Sequence, residues 1–201
     1  MKQSLLFLAL FAAGVLLSLT GRLPHFLLDG NDFSRWTLYL LLFLVGIQIG
    51  ASRGVFSIVR SFGFRIMLIP LATTVGTFAG VALVSFALPG RTFFDVMSVG
   101  AGFAYYSLSS ILISEYRGAE LGAVALIANI IREFTVLVFA PWIVRYFGKL
   151  SPICAGGATT MDTTLPIITR FSGSDYVVIA LFHGMLIDFS VPLWLGLFLS
   201  F

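Results

Sequence analysis

Charge is scarce in this chain. Only 10% of its 201 residues are Asp, Glu, Lys or Arg, against about a quarter in an average soluble domain. The 12 basic residues stand singly in short loops, so no patch exists that would track a nucleic-acid backbone. Cysteine is nearly absent too: Cys154 is alone, which excludes an internal disulfide and leaves the redox compartment open. Ten-residue segments of alternating polarity are missing, which excludes a membrane-spanning barrel. No H-E-x-x-H pair occurs, and nothing calls for a metal or another cofactor. Long polar insertions and low-complexity linkers are absent as well, so residues 1–201 read as one domain.

What fills the chain instead is hydrophobic sequence. The apolar fraction is 59% and the mean hydropathy is +1.03. The excess lies in long runs, and a run of about 18 or more apolar residues is the signature of a transmembrane helix. The sequence therefore predicts an all-α integral membrane protein with about seven spans: Ser4–Leu19, Trp36–Gly50, Ile66–Leu88, Phe93–Tyr116, Leu121–Phe147, Ser151–Arg170 and Tyr176–Phe201. The first run follows Lys2 as a signal peptide would, but similar runs come after it and no A-x-A site is suitably placed, so it reads as a span. Placing the loop with Arg53, Arg60 and Arg65 in the cytoplasm puts the N-terminus inside and the C-terminus outside. Seven crossings would then leave Arg117 inside and Arg91, Arg145 and Lys149 outside, only a slight positive-inside bias.

Polar residues interrupt four of these runs. In the sixth, "ICAGGATTMDTTLPIITRFSG" (Ile153–Gly173) holds paired glycines, four threonines and an aspartate before its proline. Gly156 and Gly157 predict a backbone break. Thr159 followed by Asp162 has the form of a capping box, predicting a helix that starts within the membrane. Such a start turns free N–H groups and a positive dipole end toward a ligand, which makes Thr159, Thr160, Thr163 and Asp162 candidate binding residues. A Gly- and Pro-kinked span with self-bonded threonines is the plainer alternative. The fourth run, "SVGAGFAYYSLSSILISEY", repeats the theme. Gly100 and Gly102 precede Ser107, Ser110 and Ser114 on one helical face, so Ser107 and Ser110 join the candidates, although serines also line tight helix contacts. Two of the seven spans are thus expected to be discontinuous.

The fifth run contains "ANIIREF", with Arg132 and Glu133 far from either end. A charge at the centre of a membrane helix costs about 2.5–3.5 kcal/mol on insertion scales. Glu133, Arg132 and Asn129 are therefore candidates, with Asn129 and Glu133 sharing a face. An Arg132–Glu133 pair that merely locks helices is the structural alternative. In the seventh run, His183 reads more readily as a packing residue than as a ligand. Asp188 belongs either to a vestibule or to an interface.

These motifs converge on a known pattern. "LLLFLVGIQIG", "GAGFAYYSLSSILISE", "NIIREF", "GGATTMDTTLPIITRFSG" and "LFHGMLIDFSVPLWLGLFLSF" occur in the order and spacing of the bacterial lysine exporter family, LysO type, and the chain resembles it over essentially its whole length. The resemblance implies a multi-pass protein of the bacterial inner membrane that exports L-lysine and close analogues such as thialysine. It also implies that Glu133 is an essential intramembrane carboxylate. Full-length relatives carry about three more N-terminal helices, so the chain resembles the long member of a split pair. It would be completed by a small three-helix subunit or by a second copy. Ten helices would suit two inverted five-helix repeats. That arrangement is similar to sodium/bile-acid symporters and cation–proton antiporters, an analogy of fold alone.

Lysine is a cation, and exporting it opposes about 2.3 kcal/mol per charge per 100 mV. Exchange for one proton removes that term, so protons are the expected coupling ion. A helix start near Thr159–Thr164 would hold the substrate carboxylate, and Glu133 with Asp162 an ammonium. The competing expectations are a same-fold transporter of an organic anion or sodium, an intramembrane enzyme, and a non-transporting subunit. Against an enzyme, Asp162 and Asp188 lack the G-x-G-D context of intramembrane aspartyl proteases. A Ser110–His183 dyad would also lack the glycine-flanked nucleophile.

Overall fold

A computed structural model of the chain describes residues 64–88 and 90–201, together with Trp36, Leu40, Phe43 and Ile47. The first expected span and most of the second lie outside the described residues. Contacts divide the chain into a unit ending at Gln48 and a unit starting at Ile49. In the first, the four described positions are helical and more than half exposed. Everything below concerns the second unit.

Among the described residues every regular element is helical. Seven α-helices follow in order: α1 Leu68–Ser85, α2 Phe93–Gly100, α3 Tyr106–Arg117, α4 Ala119–Phe147, α5 Ser151–Gly156, α6 Leu165–Ser172 and α7 Val177–Leu199. Short 3₁₀ turns occupy Phe64–Met67, Gly157–Met161 and Ser174–Tyr176. Among the described residues three stretches are long and apolar enough to cross a membrane, Arg65–Ser85, Ala119–Phe147 and Ser174–Leu199. Their outer faces suit lipid: α1 exposes Leu68, Leu71, Val75 and Leu83, and α4 exposes Ile127, Ile131, Phe134 and Trp142. The interior instead holds Thr73, Asn129, Thr160, His183 and Asp188, an inversion of the soluble pattern.

The fourth and sixth apolar runs do break, but neither runs on as a discontinuous span. Each folds back on itself. α2 opens with a complete capping box: Asp95 N–H donates to Thr92 Oγ1 at 3.1 Å and Thr92 N–H to Asp95 Oδ2 at 3.2 Å. At the other end of the run, Arg117 Nε on α3 lies 3.5 Å from Asp95 Oδ1. Arg91, just before α2, pairs with Glu120 at the start of α4. A continuous 25-residue span would separate residues 95 and 117 by about 30 Å at 1.5 Å per residue. Contact between them requires α2 and α3 to form a helical hairpin with both ends at the Ser85 end of the bundle.

The sixth run makes the mirror arrangement. Ile153 on α5 and Ile168 on α6 share a buried cluster with Ala180, against which Ile69, Leu165, Tyr176 and Ile179 pack. Lys149, before α5, lies 5.9 Å over the Tyr176 ring, after α6. Both ends of this second hairpin therefore sit at the Leu68 end. The described chain alternates long helix, hairpin, long helix, hairpin, long helix, and the hairpins enter from opposite ends. A stack of Phe94 on Phe201, with centroids 4.8 Å apart, returns the end of α7 to the Ser85 end.

The hairpins also redistribute the charges of the loops. Arg65, Arg145, Lys149 and Arg170 gather at the Leu68 end, whereas Arg91 and Arg117 lie at the Ser85 end beside Glu120 and Asp95. Seven simple crossings would have split these six residues evenly.

Candidate functional site

The tips of the two hairpins meet inside the bundle. Ala158 N–H of the second donates to the Phe103 carbonyl of the first at 2.9 Å. Gly157 makes this approach possible. Its φ is +63°, and a Cβ there would collide with the Phe103 carbonyl. On the opposite tip Phe103 and Ala104 themselves hold positive φ, 44° and 72°. For residues with side chains that is a strained conformation, and it persists only where surroundings impose it.

α4 imposes it. Asn129 is buried, and its Oδ1 accepts from Ala104 N–H at 2.7 Å. Its amide donates to the Ala125 carbonyl at 2.9 Å and the Val99 carbonyl at 3.3 Å. One turn along, Arg132 reaches the other hairpin. Nε donates to the Ala155 carbonyl at 2.8 Å, and Nη2 to the Cys154 carbonyl at 3.2 Å and Thr77 Oγ1 at 3.3 Å. Those carbonyls close α5, where a cation suits the negative end of the helix. The guanidinium also lies 5.4 Å over the Phe103 ring. No Arg132–Glu133 ion pair forms among the described residues. Asn129 and Arg132 thus have their polar atoms committed to backbone, one to each hairpin.

α7 holds the second tip. His183 is fully buried, with Nδ1 3.2 Å from Thr160 Oγ1 and Nε2 2.9 Å from Thr73 Oγ1 on α1. Thr160 Oγ1 also lies within donating distance of the Gly157 carbonyl at 2.9 Å and the Ala180 carbonyl at 3.0 Å. Both ring nitrogens are used, so His183 packs and bonds in place. Gly184 lets α7 come this close, since a Cβ there would stand 2.7 Å from Met161 N.

The helix start expected at Thr159 lies further on, at Leu165. Thr159 and Asp162 form no capping box: Thr159 Oγ1 donates to the Gly156 carbonyl, and Asp162 Oδ1 accepts from Thr163 N–H at 2.6 Å. The Gly157 turn sends residues 157–161 into a 3₁₀ segment, so Thr159 never occupies a cap position. α6 has few free donors at its start, because Thr164 and Leu165 N–H groups donate to the Thr159 and Asp162 carbonyls and Pro166 has none. The start of α3 differs. Ser109 N–H donates to the Tyr105 carbonyl, while no partner falls to the N–H groups of Tyr106, Ser107 and Leu108 among the described residues.

Around the junction the remaining candidates separate into two groups. Asp162 and Thr163 are exposed at the second tip. Asp188, on the inward stripe of α7, is close enough to Asp162 for their charges to interact, and Tyr105 at the first tip feels Asp188 likewise. Ser107 is exposed two residues past Tyr105. These residues form the candidate site. Ser110 instead belongs to the α3–α4 seam, where its carbonyl and Ser114 Oγ face Gly122. Glu133 is half-buried in line with Asn129 and makes no hydrogen bond or ion pair among the described residues. Thr73, Thr77, Phe103 and Tyr105 escape a reading of the sequence alone. The i, i+4 threonines of α1 and the T-x-x-D box at Thr92 were the signals available for α1 and the first hairpin.

The model of the family "Lysine exporter LysO" matches residues 8–199. A protein of Escherichia coli (strain K12) named lysine exporter LysO is 33% identical over 86% of this chain and 57% of its own length. A putative lysine exporter of Haemophilus influenzae is 28% identical over 85% of this chain and 86% of its own. The chain thus spans little more than half of the longer relative. No solved structure matches.

Proposed function

The chain belongs to the lysine exporter LysO family, and from that premise we propose that it exports L-lysine, and analogues such as thialysine, across the bacterial inner membrane in exchange for protons. The observation that carries this reading is the junction of the two hairpin tips. Two carboxylates, Asp162 and Asp188, and the open N-terminus of α3 at Ser107 lie on or beside the segments that meet there, roughly midway along the long helices. An amino acid needs both elements, acceptors for ammonium and donors for carboxylate. Half-helix ends of this kind bind amino-acid carboxylates within membranes. Hairpins entering from opposite ends suit alternating access around one fixed site, the logic of an inverted repeat.

The four described basic residues gathered at the Leu68 end favour a cytoplasmic position for that end under the positive-inside rule. Lysine then enters from the side of the second hairpin and leaves past the first. A carboxylate that accepts either an ammonium or a proton enforces the exchange and cancels the opposing electrical term of about 2.3 kcal/mol per charge per 100 mV. Glu133, isolated on α4, is the group through which the proton passes. A small three-helix membrane subunit, or a second copy of the chain, is the protein partner this reading expects.

The test is thialysine resistance in an exporter-deficient strain, with expression checked by membrane blot. The native chain, with any adjacent short membrane protein, restores resistance. Glu133→Gln and Asp162→Asn do not, while inserting at normal levels. Full resistance in both variants would refute the reading.

A further inference from the structure

Asp188 presents a largely enclosed acidic residue for which the described residues supply no counter-charge. The residue is 8% exposed and points along the same face of α7 as Ala180, Gly184, Ile187, Val191 and Leu195. No hydrogen bond or ion pair reaches its carboxylate among the described residues, and the one charge close enough to act on it is Asp162, of the same sign. Most of the Asp188 side chain is enclosed, but its carboxylate oxygens are not among the buried atoms that lack a partner, so they open onto accessible space; a charge so enclosed is ordinarily paired. Arg132 makes no ion pair with Asp188 and turns Nε and Nη2 to the Ala155 and Cys154 carbonyls and Thr77 instead.

A second feature falls on the same residue. Pro192 lies inside α7. In a regular helix its N–H would donate to the carbonyl four residues earlier, which is that of Asp188. Proline has no N–H, so Asp188 carries a carboxylate without a partner and a main-chain carbonyl without its helical donor. Gly184, one turn before Asp188, packs against the main chain of Met161, next to Asp162, whose carboxylate has only Oδ1 engaged by Thr163, and Tyr105 is close enough for the charge of Asp188 to reach it.

We propose that Asp188, through its carboxylate and its Pro192-freed carbonyl, is the seat of a primary ammonium group, closed on the other side by Asp162 and Tyr105. A primary ammonium has three N–H donors and one positive charge, which matches carbonyl, carboxylate and facing carboxylate in number and balances the repulsion between the two acids. This inference deepens the lysine reading and rests on it for the identity of the amine, though not for the site itself.

The experiment labels the full chain in native membranes with dicyclohexylcarbodiimide, which attacks membrane-embedded carboxyl groups, and maps the modified peptides by mass. Asp188 is expected to react. L-lysine or the diamine cadaverine, at about ten times its dissociation constant, slows the reaction about tenfold by occupancy. Sodium and 4-methylpentanoate, which lacks an ammonium group, do not. Pro192→Ala restores an N–H to the carbonyl and weakens protection while labelling persists. Asp188→Glu retains labelling and Asp188→Asn removes it from that peptide. An unreactive Asp188, labelling indifferent to every amine, protection by sodium alone, or undiminished protection in Pro192→Ala would each overturn the proposal. Protection by cadaverine without protection by lysine would uphold the ammonium seat and sink the lysine reading.

Discussion

Replacing Gly157 by alanine tests the hairpin junction at its tightest point. Two costs arise at once. The residue holds φ +63° with ψ −130°, outside the left-handed helical well and nearly closed to side chains, at a cost of about 1–3 kcal/mol. The new Cβ would also overlap the Phe103 carbonyl, which accepts from Ala158 N–H at 2.9 Å. Driving the tips apart breaks that bond and leaves a buried donor unsatisfied, a further cost of about 1–3 kcal/mol. The sum, about 2–6 kcal/mol, is a large share of a typical domain stability of about 5–15 kcal/mol. Gly148→Ala is the matched control. Its φ is +90° but nothing lies within 4 Å of its Cβ position, so only the conformational cost applies. Gly196→Ala, in open space on α7 without positive φ, gains up to about 1 kcal/mol of helix propensity. Apparent unfolding temperature in detergent and thialysine resistance are the measurements. The expected order of stability is Gly196→Ala, native, Gly148→Ala, Gly157→Ala, with transport lost only in the last. Equal stability and transport in Gly157→Ala and Gly148→Ala would show that the tips do not meet.

Three further outcomes follow from the same contacts. Asn129→Ala leaves Ala104 N–H without its 2.7 Å acceptor and lowers stability by about 1–3 kcal/mol, read as a lower unfolding temperature, whereas Asn129→Asp keeps an acceptor at that position and is milder. Arg132→Met uncaps the Cys154 and Ala155 carbonyls and abolishes transport, while Arg132→Lys, able to reach one carbonyl, retains part of it; equal loss in both would point to direct substrate contact instead. With Cys154 removed, a cysteine at exposed position 163 reacts with small hydrophilic thiol reagents, but cysteines at the buried positions of Thr159 and Thr160 do not; reaction at all three would contradict the hairpin.

The membrane character of the chain, its helices and the positions of both breaks were written in the sequence, for local reasons. Apolar runs have nowhere else to go, and Gly156–Gly157 and Gly100–Gly102 punctuate two of them without reference to the rest of the chain. Asn129, Arg132, Asp162 and Asp188 were visible as costly residues in apolar surroundings. Their partners were not. Hydropathy measures how willing a segment is to enter lipid but not whether it leaves by the far side, so a hairpin and a broken span of equal length read alike. The Asp95–Arg117 and Lys149–Tyr176 contacts, each between residues more than 20 apart in sequence, decided that point, and with it the sorting of basic residues between the two ends. In the same way an Arg132–Glu133 pair stood as the structural alternative for "IREF". A helix turns its side chains by about 100° per residue, so α4 sent the guanidinium to the end of α5 and left the carboxylate alone. The sequence by itself determined which residues are too costly to be idle. The tertiary structure alone decided which of them hold the fold and which are left open to a ligand, because that depends on what the opposing hairpin brings within hydrogen-bonding distance.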